Sequence, residues 1–356
     1  MSGLSERKHK AYDVALLYYV EHATMESIAR RMNLSRSTVS RLLSYAREAG
    51  LVRISMHSPD EETENTTSVI GERFGIRTII VPVVPPVSEV RRFEKVASAA
   101  GAVISDAMES GMTMALAWGT TTSAIADYLV PKRTHDTTIV QIDGSSSARA
   151  SSSTYFGDVL SQFGQNFGAR VVGFPVPTFF DSVSTRNAVF RESSVIAVRD
   201  LSQHADIAVF GIGAFDSPIA SHIYSDGYLT AREVVELRSD GVVGDVCGVL
   251  LREDGSWRDI EINRRATGLN PDELKQIPRR FGVAYGPAKA QTTLAALRAG
   301  TITDLVVDSQ CASQIVELMR VYDRRQKNNP SGRFSRPLKA TSEHIASSAS
   351  PENAAF

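Results

Sequence analysis

The spacing of apolar positions changes character partway along the chain. Between residues 10 and 49 the period is helical. Val14, Leu16, Leu17 and Val20 fall at helical spacing in a predicted helix Lys10–Glu21, and a short helix follows from Met25 to Met32. In a third, Arg36–Ala49, Val39, Leu42, Leu43 and Ala46 fall at i, i+3, i+4 and i+7, with Ser35 placed to cap it and Gly50 to end it. Leu51 to His57 alternates like the strand of a wing, and residues 58–68, with Pro59 and several acidic side chains, predict a linker. From Val69 onward strand-length runs alternate with helical stretches. The predicted strands are Thr78–Val84, Thr113–Ala117, Thr137–Ile142, Arg170–Phe174, Asp206–Gly211, Val243–Leu251, Arg258–Asn263, Arg280–Ala284 and Asp304–Val307. Repetition of this kind implies an α/β domain with a doubly wound, mostly parallel sheet covered by helices on both faces. Arg252–Ser256 reads as the turn of one antiparallel pair. After Asp323 the periodicity gives way to Ser, Asn, Pro and Ala, which predicts a disordered tail over 324–356.

The pattern therefore divides the chain into a winged helix-turn-helix domain (1–57), a linker (58–68), a larger α/β domain (69–323) and a tail. A length of 356 residues agrees with two domains. Charge sharpens the division, because the net charge of -1 hides an asymmetry: residues 1–57 hold nine Lys/Arg against five Asp/Glu. A small basic module joined to an acidic one fits a DNA reader attached to a domain with no affinity for phosphodiesters. The apolar runs are too short to span a membrane and the polar start is unlike a secretory signal, so a cytoplasmic protein is expected. Cys247 and Cys311 stand alone, as buried structural thiols do, and predict no disulfide, metal site or cofactor.

A helix-turn-helix needs a small residue where its two helices cross, a turn residue tolerant of positive φ, and an internal apolar set. Ala29, Asn33, and Ile28, Met32, Leu34, Val39 and Leu42 supply these in order. A helical hairpin used only for packing is the alternative. Arg36, Ser37, Thr38, Ser40 and Arg41 occupy the part of the third helix that would enter a major groove, where arginine can bond guanine bidentately. Arg53 on the wing is expected to meet phosphate.

In the larger domain, Met114-Ala-Leu-Ala-Trp-Gly119 leads straight into Thr120, Thr121 and Thr122. Glycine lets a backbone approach a ligand, and hydroxyls beside unsatisfied N–H groups suit phosphate, although threonines also cap helices for purely structural reasons. Ala284-Tyr-Gly-Pro-Ala-Lys289 repeats the strand–turn–helix theme with a cation early on the helix. Both lie at strand carboxyl ends, where open α/β sheets bind ligands. His204 and His222 read as hydrogen-bonding residues and Phe179–Phe180 as core, while Trp118 fits either a stacking pocket floor or a sheet face.

Taken in order, Gly111-Met-Thr-Met-Ala-Leu-Ala-Trp-Gly-Thr-Thr, Phe174-Pro-Val-Pro, Ala205-Asp-Ile-Ala-Val-Phe-Gly-Ile-Gly213, Gly241-Val-Val-Gly-Asp-Val, Gly286-Pro-Ala-Lys289 and Leu297–Asp308 resemble the SorC family of bacterial sugar-sensing regulators, over residues 10 to about 320. The resemblance implies a fold like that of glucosamine-6-phosphate deaminase and ribose-5-phosphate isomerase. By the same resemblance Gly119, Thr120 and Thr121 would bind the ligand phosphate or its equivalent, Asp245 would accept sugar hydroxyls, and Lys289 would meet an anionic oxygen. The loop after Gly213, from Ala214 to Gly227 and including Ser217, would close over the sugar. Asp143 departs from the family, which often has Asn or a basic residue there; a charged carboxylate would favour hydroxyls over phosphate, bringing in unphosphorylated sugars and polyols. The implied partners are operator DNA, a small carbohydrate effector and further copies of the chain, as a homodimer or homotetramer, without a membrane. Two rivals are a sugar-phosphate isomerase or deaminase with an accessory DNA-binding module, which would need a general base such as Asp245 or Asp143, and an adaptor whose α/β domain only dimerises.

Overall fold

The computed structural model describes residues 2–52, 61–84, 86–144, 152–219, 221–225 and 227–328, with backbone alone for 2–6, 61–65, 152–156, 225 and 325–328. The chain forms two units, Met1–Pro59 and Asp60–Phe356.

The first unit is helical. Helix α1 (Ser2–Ala15) begins well before Lys10 and runs into a π-helical turn, Leu16–Val20. Thr24 Oγ1 accepts from Ser27 N to cap α2 (Met25–Arg31), and Ser35 Oγ accepts from Thr38 N to cap α3 (Arg36–Glu48). Between α2 and α3 Asn33 takes φ 53°, the left-handed geometry expected of the turn. Ile28, Ala29, Val39, Leu42, Leu43 and Ala46 pack with Ala11, Val14, Ala15 and Leu17 into one core, and each large side chain buried there contributes about 1.5–3 kcal/mol. Leu51 and Val52 rest against it. The rest of the predicted wing, with Arg53, lies outside the described residues.

The second unit is built on β1 (Arg77–Val81), β2 (Thr113–Leu116), β3 (Thr138–Gln141), β4 (Arg170–Val172), β5 (Ile207–Ala214), β6 (Val242–Val246), β7 (Val249–Arg252), β8 (Arg279–Ala284) and β9 (Asp304–Asp308). Seven strands pair in the order β1-β9-β8-β5-β2-β3-β4, all parallel. Strands β6 and β7 form an antiparallel ribbon on the far end of β5. The helices are α4 (Glu61–Phe74), α5 (Glu89–Ala107), α6 (Thr120–Ala126), α7 (Ser152–Phe167), α8 (Val183–Val189), α9 (Ser193–Gln203), α10 (His222–Ser225), α11 (Ala231–Ser239), α12 (Pro271–Leu274), α13 (Ala290–Arg298) and α14 (Ser309–Asn328). Two large apolar clusters, one holding Phe210, Leu294 and Ile315 and the other Val96, Phe163 and Phe281, share the residues of the central strands between them. From β2 the chain moves outward through β3 and β4, then returns to place β5 on the other side of β2. The switch in winding direction therefore lies between β2 and β5, where a crevice opens at the carboxyl ends of the strands.

Four expectations need correction. Residues 61–68 are not linker but the first half of α4, and Ile70 anchors the helix with no exposure. The tail begins later than 324, because α14 continues to Asn328 and Arg73 holds Asp323 at 3.1 Å; the remainder lies outside the described residues. Val243–Leu251 is two strands joined at Cys247-Gly248, where both residues take positive φ (51° and 73°), as a two-residue hairpin turn requires. Arg252–Gly255 also turns, but Arg258–Asn263 is no strand: Glu261–Arg265 is a 3-10 turn. Buried Ile260 and Ile262 imitate strand alternation there, while the Asn263 side chain stands in for a neighbouring strand, accepting from Leu250 N at 2.8 Å and donating to Leu250 O at 2.9 Å.

Candidate functional site

On the first unit, burying one face of α3 turns the other to solvent. Arg36, Ser37, Ser40 and Arg41 are exposed and Thr38 is half-buried. Arg41 lies back along the helix, its Nε donating to Ser37 O and Nη2 to Thr38 Oγ1, both at 3.4 Å. Thr38 Oγ1 also bonds Ser35 Oγ at 2.8 Å, so this threonine helps to cap the helix. The four exposed side chains form one polar surface at the start of the helix.

On the second unit, a cavity occupies the crevice between β2 and β5. Seven sequence candidates line it: Gly119, Thr120, Thr121, Asp143, Gly213, Asp245 and Lys289. Each comes from a strand end, with Gly119–Thr121 following β2, Asp143 following β3, Gly213 in β5, Asp245 in β6 and Lys289 after β8. Ser217 does not line the cavity. It sits beside the Tyr285 hydroxyl. Trp118, one of whose two expected places was the pocket floor, lines it as well, together with His222, Tyr285 and Cys247; the last three had no pattern to mark them for the cavity, since their part depends on a shared space rather than on spacing.

Close backbone approaches shape the interior. At Gly213 a Cβ would stand 1.9 Å from Asp245 Oδ1, and at Gly211 one would stand 2.8 Å from Thr121. Glycine at both positions lets the ribbon and α6 close onto β5. Asp245 is buried, its Oδ1 accepting from the Tyr224 hydroxyl at 2.8 Å and its Oδ2 from Gly248 N at 3.2 Å. Burial raises its pKa against these bonds and against the positive charge of Lys289. Asp143 is buried too, with Oδ1 accepting from Trp118 N at 3.0 Å. Its pKa is pushed up to about 8, first by burial and then by the nearby Asp245, so the group is a neutral acid at pH 7. Lys289, 3% exposed, is brought down to about 8 by burial, Asp245 opposing the shift, and its Nζ lies 4.2 Å from the centre of the Tyr285 ring. The loops carrying these groups are fixed by buried bonds: Gln141 Nε2 donates to Asp143 O at 2.6 Å, Thr178 Oγ1 to Gly144 O at 2.6 Å, and Gly144 N to Thr267 Oγ1 at 3.1 Å.

Helix α10 brings His222 to the cavity wall, where its ring stacks on Trp118 with centroids 5.2 Å apart and planes 21° from parallel. The free space enclosed is about 50 Å³. Hydroxyls, two carboxyl groups and one cation facing an indole can bind a polyhydroxylated molecule by hydrogen bonds along its edge and stacking on its face. Among the described residues no group of His, Cys, Asp and Glu could hold a metal ion, and no helix is long and apolar enough to cross a membrane.

Residues 59–317 match the family model "Putative sugar-binding domain", and residues 1–49 match "Sigma-70, region 4". The transcriptional regulator LsrR of Klebsiella pneumoniae is 30% identical over 308 residues, covering 86% of this chain and 92% of that protein. The deoxyribonucleoside regulator of Bacillus subtilis is 27% identical over 312 residues, covering 87% and 98%. Among solved structures, a domain of a "possible sugar-binding transcriptional regulator" from Arthrobacter aurescens TC1 superposes with TM-score 0.68 at 37% identity, covering 73% of this chain and 100% of that one. The full-length sorbitol operon regulator SorC from Klebsiella pneumoniae gives TM-score 0.70 at 20% identity, covering 86% and 98%, a likeness of fold.

Proposed function

The chain belongs to the SorC family of sugar-binding transcriptional regulators, and from that membership we propose that it binds operator DNA through the exposed start of α3 and releases or tightens its hold when a small carbohydrate enters the cavity at the β2–β5 switch point. The observation that carries this reading is the convergence of Thr120, Thr121, Asp143, Asp245 and Lys289 from four strands on one cavity. In it, Lys289 meets an anionic oxygen, Asp245 accepts hydroxyl hydrogens, and Thr120 and Thr121 hold the far end of the ligand. Asp143 acts differently from a charged carboxylate. As a neutral acid it can donate a hydrogen bond as well as accept one, so it does not repel phosphate. Sugars, polyols and their phosphates therefore all belong to the effector class.

About 50 Å³ is less than a monosaccharide needs, so the segment around His222 must lift from Trp118 to admit one. This supplies the differential binding on which a switch depends, because ligand can shift an equilibrium only between states that it binds unequally. The protein acts in the cytoplasm, without a cofactor and without catalysing a reaction. It works as a symmetric dimer or tetramer, since one helix-turn-helix makes too few contacts for tight operator binding. Tyr12, Leu16 and Val20, exposed at spacings of four along the first helix and its π turn, give a second copy an apolar stripe to meet.

The test is a thermal-shift panel of sugars, polyols and their phosphates on the full chain, with a gel shift and a turnover assay on each hit. A stabilising ligand that changes operator affinity and is not consumed is the expected result. Turnover of the ligand without any effect on DNA would establish the enzyme instead.

A further inference from the structure

A second concavity, a groove of about 270 Å³, lies behind the wall of the effector cavity. Arg186, Asn187, Trp257, Arg258, Arg264 and Asn270 line it, and no aspartate or glutamate does. The residue that draws notice is Arg186. Its guanidinium is half-buried, stacked 3.7 Å from the centre of the Phe190 ring, with Arg199 over the same ring at 4.6 Å. Arg199 is neutralised by Glu273. Arg186 has no carboxylate within ion-pair distance among the described residues, and its side-chain bonds run to Ala266 O and Asn187 Oδ1, both at 3.3 Å. Burial, and then the neighbouring positive charge of Arg199, lower its pKa, while the Glu273 carboxylate opposes the shift. Two guanidiniums that share the one carboxylate of Glu273, with no ion pair to Arg186 itself, leave an excess of positive charge that an oxyanion would relieve.

The side-chain acceptors around it are already engaged. The Asn187 oxygen is taken by Arg186, the Asn263 oxygen by Leu250 N, and the Asn270 oxygen by the backbone N–H groups of Asp272 and Glu273. Arg264 and Arg258 are paired outward with Glu261 (3.0 Å) and Asp272 (2.5 Å), which leaves N–H groups of each guanidinium for the groove. A wall offering N–H donors with its side-chain acceptors engaged selects a ligand that only accepts, and several guanidinium forks favour a phosphoryl dianion over a single carboxylate. Trp257 adds an apolar surface for the rest of such a molecule.

We propose that this groove is a second ligand site, separate from the effector cavity, for a small phosphate monoester gripped by Arg186, Arg258 and Arg264. Its position gives the occupant a route to the effector cavity. Arg186 Nε donates to Ala266 O, and two residues on, a Cβ at Gly268 would stand 1.8 Å from Cys247 O and 3.2 Å from Asp143 Cβ. One thickness of backbone divides the two sites.

Isothermal titration of the full-length chain at low ionic strength with inorganic phosphate, phenyl phosphate and benzoate tests the assignment. Phenyl phosphate should bind more tightly than phosphate or benzoate. Arg186→Gln should weaken it at least tenfold, as should Arg264→Gln, an exposed substitution that spares the core, while Arg191→Gln, away from the groove, should not. Absence of binding to the native protein, binding by the Arg186 and Arg264 variants as tight as by the native protein, or benzoate binding as tightly as phenyl phosphate would each overturn it.

Discussion

Replacing Asp143 by Asn should stabilise the protein, and by an amount that grows with pH. In the folded chain this carboxyl keeps its proton up to about pH 8, whereas in the unfolded chain it loses it near the ordinary 3.8. Between those values the unfolded state binds one proton fewer, so the wild-type protein loses about 1.4 kcal/mol of stability from this group with each pH unit gained. From pH 5 to pH 7 the loss is about 3 kcal/mol. Asn copies the neutral acid: it carries no charge, and its Oδ1 can still accept from Trp118 N. The advantage of Asp143→Asn over wild type should therefore widen by roughly 5–10 °C in Tm between pH 5 and pH 7, at 2–4 °C per kcal/mol for a unit of this size. Above pH 8 it should level off. Lys289 works in a separate window: its pKa falls from 10.5 to about 8 on folding, so the cost of burying its charge is relieved between those values as pH rises. Calorimetric melts of both proteins at pH 5, 6, 7 and 8 measure the effect. Parallel curves, or a gap that closes as pH rises, would show that Asp143 is ionised in the folded state and refute the argument.

Arg36→Ala and Arg41→Ala should each weaken operator binding by about 1–3 kcal/mol in gel shift with an unchanged Tm, because both side chains are exposed; unaltered affinity in both would misplace the reading face. Lys289→Ala and Thr121→Ala should abolish the effector's influence on DNA binding while operator affinity without effector stays near normal, and an unchanged midpoint in titration would remove these residues from the site. Gly213→Ala should destabilise the second unit by about 1–3 kcal/mol, read in a denaturant melt, because its new Cβ meets an Asp245 carboxylate that Tyr224 and Gly248 hold in place. Light scattering at working concentration should report a dimer or tetramer; a monomeric mass with full operator affinity would contradict the symmetric reading.

Local chemistry decided what was legible in the sequence. Helices α2 and α3 could be placed because Ser35, Asn33, Ala29 and the i, i+3, i+4 apolar set act on their immediate neighbours, and the parallel strands because they are short apolar runs wherever they occur. The same locality misled at residues 61–68, where acidic residues taken for a linker start a helix, and at Arg258–Asn263, where one asparagine side chain does the work of a strand. Cys247-Gly248 escaped notice because cysteine is an unusual choice for a positive φ, and only the pairing of β6 with β7 demands it there. The sequence also nominated Thr121, Asp143, Asp245 and Lys289 one by one, each from its own strand end. That they line a single cavity depends on the crossover that sets β5 beside β2, and that the pKa of Asp143 is raised while that of Lys289 is lowered depends on the burial of each, with Asp245 acting on both. Neither follows from residue order, because desolvation and the field of a neighbouring charge are properties of position in space, fixed only when strands far apart in the chain come together.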